Sequence, residues 1–241
     1  MRTTKIEWTE RTWNPVTGCT KRSAGCEHCY AEAMSRRLKA MGNYKYRYGF
    51  KVTLQEESLD EPIAWRKPSL VFVCSMGDLF HDDVPFTYID KVLTTIRNTP
   101  QHTYQLLTKR AERMAEYFKT HDIPKNVWLG VTVENQKTKY RIDFLRQQTA
   151  KVKFLSCEPL LEDLNELNLQ GINWIIVGGE SGPMARPMKE EWILNIQKQA
   201  TKNLIPFFFK QWGTWNKDGI KGSKKKNGKL LQGKVVQQMP K

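Results

Sequence analysis

The chain has 241 residues, enough for one large α/β domain with a substantial core and too few for two generous ones. Its 39 Lys and Arg against 25 Asp and Glu leave a net charge of +14, which draws polyanions through phosphate contacts and counterion release. The opening "MRTTKIEWTERTW" places acids and tryptophans where a signal peptide needs an apolar stretch, and no run of about 18 apolar residues follows to span a bilayer. The expected setting is therefore cytoplasmic, without a membrane partner, and there thiols stay reduced.

In chain order, the first feature is "WNPVTGCTKRSAGCEHCYAE" at 13–32, which holds three of the five cysteines in a C-x6-C-x2-C spacing. "WNPVTG" reads as a short initial strand leading into this loop. Reduced, clustered thiols in an odd number point to metal or redox chemistry rather than a disulfide framework. Cys26 and Cys29 can reach one metal or cluster from a tight loop, with Cys19 as a third soft ligand. A structural zinc needs a fourth donor, which His28, His81 or Cys157 would supply; an iron–sulfur cluster with three protein ligands instead leaves one iron open to a small molecule. Next, "GNYKYRYGF" at 42–50 interleaves rings with Lys45 and Arg47, a pattern suited to base stacking with phosphate neutralisation and equally to an ordinary exposed strand or loop.

Six apolar runs then alternate with helical segments: "SLVFVCSMGD" (69–78), "HTYQLLTKR" (102–110), "NVWLGVTVEN" (126–135), "AKVKFLSCEP" (150–159), "INWIIVGGES" (172–181) and "IPFFFKQWG" (205–213). Between them "VPFTYIDKVLTTIRN", "RAERMAEYFKTH", "QKTKYRIDFLRQQ" and "KEEWILNIQKQATKN" have helical character, with Trp192 and the phenylalanines at 207–209 expected in the core. Strands and helices joined by short links predict an α/β fold with a parallel sheet. Nearly every run ends in polar or glycine residues, and in parallel α/β folds that edge is where sites are built. Cys74, inside an apolar run, reads as a packed small residue. Cys157, beside Glu158 at a strand end, is a candidate catalytic thiol. Glu158 and Lys109 share the predicted rim, as substrate contacts or as partners of each other. Residues 216–241 carry eight lysines and one acid, about half of the charge excess, and read either as a solubilising tail or as a polyanion contact with Lys224, Lys225 and Lys226 as candidate phosphate contacts. There Leu230, Leu231, Val235 and Val236 around Gln232-Gly233 suggest a small hairpin. The expected organisation is a domain over 1–215 and a basic tail over 216–241.

The cysteine loop followed by an α/β repeat resembles the radical S-adenosylmethionine enzymes. More specifically, "WNPVTGC", "GCEHCYAE", "MGDLFHDDVP", "LLTKR", "GVTVENQ", "CEPLL", "GGESG" and "FFFKQWG" together look like a phage-associated three-cysteine family of that type, over about residues 6–215. The resemblance implies a partial (β/α) TIM-type barrel of about six parallel strands with the cluster loop near the N-terminus. It implies a [4Fe–4S] cluster on Cys19, Cys26 and Cys29, whose open iron binds S-adenosylmethionine and whose electron releases a 5′-deoxyadenosyl radical. An electron donor such as a flavodoxin or ferredoxin would be a partner, and a nucleic acid or nucleotide the substrate. The implied cofactor contacts are Gly77 and Asp78 against the methionine amino group, Glu134 and Asn135 near the ribose, and Gly178, Gly179, Glu180 and Ser181 at the adenine or methionine backbone. The family's commonest loop is C-x3-C-x2-C with an aromatic before the last cysteine, whereas here the first gap is six and that position is His28. A competing class is a zinc-stabilised, non-catalytic nucleic-acid-binding protein.

Overall fold

The computed structural model describes residues 4–241; Met1–Thr3, where the stretch read against a signal peptide begins, lie outside the described residues. The chain divides into two compact units, one of Met1–Arg22, Cys29–Gly130 and Gln148–Lys151, the other of Ser23–His28, Val131–Gln147 and Val152–Lys241.

In the first unit the chain runs through β1 (Arg11–Trp13), β2 (Val16–Thr17), α1 (Tyr30–Ala40), β3 (Thr53–Leu54), β4 (Leu70–Val73), α2 (Phe86–Asn98), β5 (Thr103–Thr108), α3 (Ala111–Tyr117) and the start of β6 (Val127–Thr132). Pro15 lacks a backbone N–H, and the expected single strand over "WNPVTG" is accordingly split around it. Its first part belongs to β1, parallel to β4, while β2 pairs antiparallel with β3 in a separate small sheet. Trp13 is fully buried and donates its indole N–H to the Ser58 carbonyl at 2.6 Å. Strands β4 and β5 are parallel; β4 is entirely apolar, and β5 is mostly buried although it carries Gln105 and Thr108, as expected where both faces of a sheet are covered. Helix α2 covers them with Ile89, Val92, Leu93 and Ile96, all buried. Helix α1 is absent from the sequence reading because it buries only Ala31 and Ser35, so no apolar stripe marks it.

The second unit contains the end of β6, α4 (Arg141–Arg146), β7 (Val152–Cys157), β8 (Trp174–Gly178), α5 (Glu190–Lys202), β9 (Phe207–Gln211), α6 (Lys224–Asn227), β10 (Leu230–Leu231) and β11 (Lys234–Val235). Strands β7, β8 and β9 are parallel. Helix α5 packs through Ile193, Ile196 and Ala200; Trp192, expected in the core, is only half-buried and lies under the Lys189 ammonium. The reason is phase, since Trp192 stands one position off the stripe that faces the sheet. Residues Phe207–Phe209 are buried as expected. In the basic tail, β10 and β11 form an antiparallel hairpin across Gln232 and Gly233, both at positive φ as a type I′ turn requires. The tail then docks on β9, with Phe209 N–H donating to the Val236 carbonyl at 2.7 Å and Leu231 buried, while Lys224, Lys225 and Lys226 stay exposed.

Seven strands thus hydrogen-bond in one parallel sheet in the order β1-β4-β5-β6-β7-β8-β9. This sequential order is the connectivity of a partial (β/α) barrel, with one strand more than the six visible as apolar runs. Among the described residues no helix is long and apolar enough to cross a membrane.

Candidate functional site: the cysteine loop and its anchors

The loop is launched by Gly18, whose φ of +82° suits glycine and whose would-be Cβ would lie 2.2 Å from the Lys51 carbonyl oxygen. Gly18 N–H donates to the Met76 carbonyl, and Gly77 approaches so closely that a Cβ there would stand 2.9 Å from the Val16 carbonyl oxygen. Gly18→Ala is therefore expected to destabilise the protein several-fold more than Gly42→Ala, whose side chain meets open space at a similar φ and costs about 1 kcal/mol. Urea unfolding of the two variants makes the comparison, and equal losses would contradict the close approach.

Cys19 follows, and Arg110 is aimed at it. Arg110 Nη1 donates to Cys19 Sγ at 3.5 Å, and Nη2 donates to the Thr20 carbonyl at 3.3 Å and to Thr20 Oγ1 at 2.9 Å. Arg110 is itself clamped by Asp78, 3.4 Å away and equally buried. The Asp78 carboxylate also accepts from Phe80 N–H, Lys109 N–H and twice from Thr108 Oγ1. Burial opposes the Arg110 charge, but Asp78 and Cys19 together raise the guanidinium above its usual range. A carboxylate offers about four acceptor sites, and protein donors take them here. Asp78, expected against the methionine amino group, thus holds Arg110. Cys29 ends the loop at the N-cap of α1, where aligned amides favour negative charge.

His81 also reaches this loop. Its Nδ1 accepts from Asp83 N–H at 3.0 Å, which leaves the proton on Nε2, donated to Thr20 Oγ1 at 2.8 Å. Burial first, and Arg110 second, hold the imidazole below its ordinary range. Burial does the same to His102. Below about pH 6.5 the unfolded chain therefore binds more protons than the folded one, so this stability is complete above that pH and is lost as pH falls through it. The urea midpoint is expected to drop between about pH 7.5 and 5.5, and to drop less in His81→Asn/His102→Asn. Equal slopes would refute the assignment.

In the second unit the turn Ser23–His28 carries Cys26 over a buried carboxylate. Glu134 is fully buried, accepts a short hydrogen bond from Ser23 Oγ, and is paired with Arg141 Nη1 at 2.9 Å. Gly25 lies so near that a Cβ would come within 2.9 Å of Glu134 Oε1. From the next strand but one, Glu180 accepts from Arg186 N, Nε and Nη2. Arg186 in turn donates to the Ala24 carbonyl at 2.9 Å and to Glu27 at 3.0 Å. Hydrogen bonds to Glu180, ahead of the opposing burial, raise the Arg186 guanidinium above its usual range.

In the first unit Asp78 thus reaches Cys19 and Thr20 through Arg110, and in the second Glu134 and Glu180 reach the turn Ser23–His28 through Ser23 and Arg186. A model of protein family DUF5131, described as a protein of unknown function, matches residues 3–240. The chain belongs to the DUF5131 family. No curated protein and no solved structure matches it.

The other residues expected at the site fall as follows in this DUF5131 chain. Glu134, expected near the ribose, accepts from Ser23, and the Asn135 amide donates to Thr138 Oγ1 at the start of a short 3-10 turn. Gly178 and Gly179 are close-approach positions within the protein, since Cβ atoms there would stand 2.9 Å from Glu158 Oε1 and 2.0 Å from the Trp212 carbonyl oxygen. Ser181 is half-buried in the loop after them. Glu158 pairs with Lys210 at 3.0 Å, and Lys109 lends its backbone N–H to Asp78. Cys157 is fully buried, and desolvation keeps its thiol protonated, as it does that of Cys74. Lys45 is neutralised by Glu61 at 2.6 Å, whereas Arg47 stays at the surface. The arginines that do the holding, Arg110, Arg141 and Arg186, escape a sequence reading; only Arg110 had a signal, as the neighbour of Lys109 in "TKR". Among the described residues no group of three or more His, Cys, Asp or Glu side chains is set to hold a single metal ion.

Proposed function

We propose that this chain is a radical S-adenosylmethionine enzyme with a [4Fe–4S] cluster on Cys19, Cys26 and Cys29, acting on a nucleic acid or nucleotide in the cytoplasm. The observation that carries the reading is the investment of buried charge in one loop: Asp78 through Arg110, Glu134 through Ser23, and Glu180 through Arg186 all hold the segment between Gly18 and Cys29. Burying charges is costly and marks groups retained for a reason other than stability. The donor chemistry fits, because three soft thiolates bind three irons of a cluster and leave the fourth to a small molecule. Each thiolate takes its own iron, so the sulfurs need not converge as around one ion.

Within such a site Arg110 would offset the charge on Cys19 and hydrogen-bond its sulfur, and hydrogen bonds to cluster sulfurs are one lever on reduction potential. Cys29 would draw on the α1 N-terminus in the same sense. Arg186 would fix the backbone that carries Cys26. When bound, the cluster supplies the electron that cleaves S-adenosylmethionine and initiates hydrogen abstraction, using an external carrier of flavodoxin or ferredoxin type. The charge of +14 favours a polyanionic substrate. Anaerobic reconstitution with iron and sulfide should give a brown protein that bleaches with dithionite and releases 5′-deoxyadenosine from S-adenosylmethionine. A colourless protein carrying zinc would replace this reading with that of a non-catalytic nucleic-acid-binding protein.

A further inference from the structure

Beyond the cysteine loop, α1 and the turn after it expose large side chains, of which Tyr30 is held by a hydrogen bond to the Ser75 carbonyl. Among the described residues of the first unit the large apolar side chains left exposed are Tyr30, Met34, Met41, Tyr44, Tyr48 and Ile63, and all but Ile63 fall within 30–48. Tyr30, Met34 and Met41 recur at i, i+4 and i+11, along one side of α1 and its C-cap. The turn is anchored from beneath by Tyr46, buried against Ala31 and Met76. That anchoring turns Tyr44 and Tyr48 outward at 66% and 58% exposure. Between them stands Arg47, its guanidinium 3.9 Å from the Tyr44 ring centre and 4.7 Å from that of Tyr48. Arg47 Nη1 also donates to the Tyr44 carbonyl at 3.0 Å, so the cation is held in place.

The same stretch is strongly basic. Residues 30–51 contain Arg36, Arg37, Lys39, Lys45, Arg47 and Lys51 against the single acid Glu32; Glu32 pairs with Arg36 and Glu61 with Lys45, which leaves Arg37, Lys39, Arg47 and Lys51. Exposed rings interleaved with cations suit a ligand that offers flat π-faces and regularly spaced negative charge together. A duplex hides its base faces, and an acidic polypeptide offers charge without them.

We propose that Tyr44, Arg47 and Tyr48, with the exposed side of α1, form a docking surface for single-stranded nucleic acid. The inference rests on the nucleic-acid part of the reading above and deepens it, naming an unpaired strand as the partner. Because α1 starts at Cys29, a strand seated along this helix is led to the end of the cysteine loop.

The experiment measures fluorescence anisotropy of the full-length protein, without reconstitution, against labelled single-stranded DNA and RNA of about 16 nucleotides, the matching duplex, and labelled polyglutamate. The wild type should bind single strands tighter than duplex or polyglutamate. Tyr44→Ala/Tyr48→Ala should weaken single-strand binding by about 10- to 100-fold, while Tyr44→Phe/Tyr48→Phe retains it. Arg47→Gln should lower the slope of log affinity against log salt by about 0.7. Charge reversal at Lys224, Lys225 and Lys226 should leave the effect of the paired alanine substitutions unchanged. Tyr44 and Tyr48 are exposed, so an unaltered urea midpoint is expected to accompany the loss. The proposal is overturned if single strands bind no tighter than duplex, if the alanine pair leaves affinity unchanged, or if polyglutamate loses affinity equally. Because no cluster enters the assay, such a failure leaves the radical chemistry standing, and a colourless protein in the reconstitution test leaves this surface standing.

Discussion

Alanine at Cys19, Cys26 or Cys29 is expected to abolish the iron–sulfur absorbance of the reconstituted protein completely, while alanine at Cys74 or Cys157 leaves it intact. The contrast follows from where the five sulfurs lie. Cys74, in the turn after β4, and Cys157, at the end of β7, are 3% and 0% exposed, and there desolvation favours the neutral thiol over the thiolate that iron requires. Cys19 faces a guanidinium and Cys29 an N-terminal helix turn, both of which favour the anion. A cluster deprived of one of three protein ligands has no neighbouring thiol in the loop to replace it. The check is the visible spectrum together with iron and sulfide content for all five variants. A chromophore that survives Cys19→Ala, or one that needs Cys74, would remove the loop from the function.

Glu134→Gln is expected to produce the largest stability loss among single substitutions outside the apolar core, about 3–5 kcal/mol. Glu134 and Arg141 are both buried at 1% exposure or less, and Arg141 otherwise donates to the Thr132 carbonyl. Neutralising one partner strands the other's charge away from water, whereas removing both leaves a cavity that apolar side chains can fill. Glu134→Leu/Arg141→Met should therefore recover much of the loss. Ser23 would then lack its acceptor, so the double variant should fold well yet hold the Cys26 turn loosely, with cluster uptake still impaired. Urea unfolding gives the stabilities and iron content the occupancy. A double variant less stable than Glu134→Gln would refute the ion-pair account.

Much of the fold was legible because its code is local. Six apolar runs long enough for strands lie within residues 69–213, and the structure places a parallel strand inside each. A strand covered on both faces has to be apolar throughout, so composition alone reveals it. The hairpin around Gln232-Gly233 was readable for a similar reason, since its turn requires residues that tolerate positive φ. What periodicity missed was α1, whose buried positions are Ala31 and Ser35 and whose exposed ones include Tyr30 and Met34, the reverse of the usual pattern.

The candidate site divides along the same line. The sequence by itself determined that three thiols share a short loop and that acids and glycines stand at strand ends, because spacing and strand termini are properties of neighbours in the chain. Tertiary structure alone decided what those acids do. Asp78 meets Arg110 across 32 residues, Ser23 meets Glu134 across 111, and Glu27 meets Arg186 across 159. An acid at the end of a strand reads the same whether it faces a ligand or an arginine. Only the fold brings the arginine to it, and a buried carboxylate must take whatever cation or hydrogen-bond donor the fold supplies. Asp78 thus meets Arg110, and Glu134 meets Ser23, through crossings of the chain that no local pattern records.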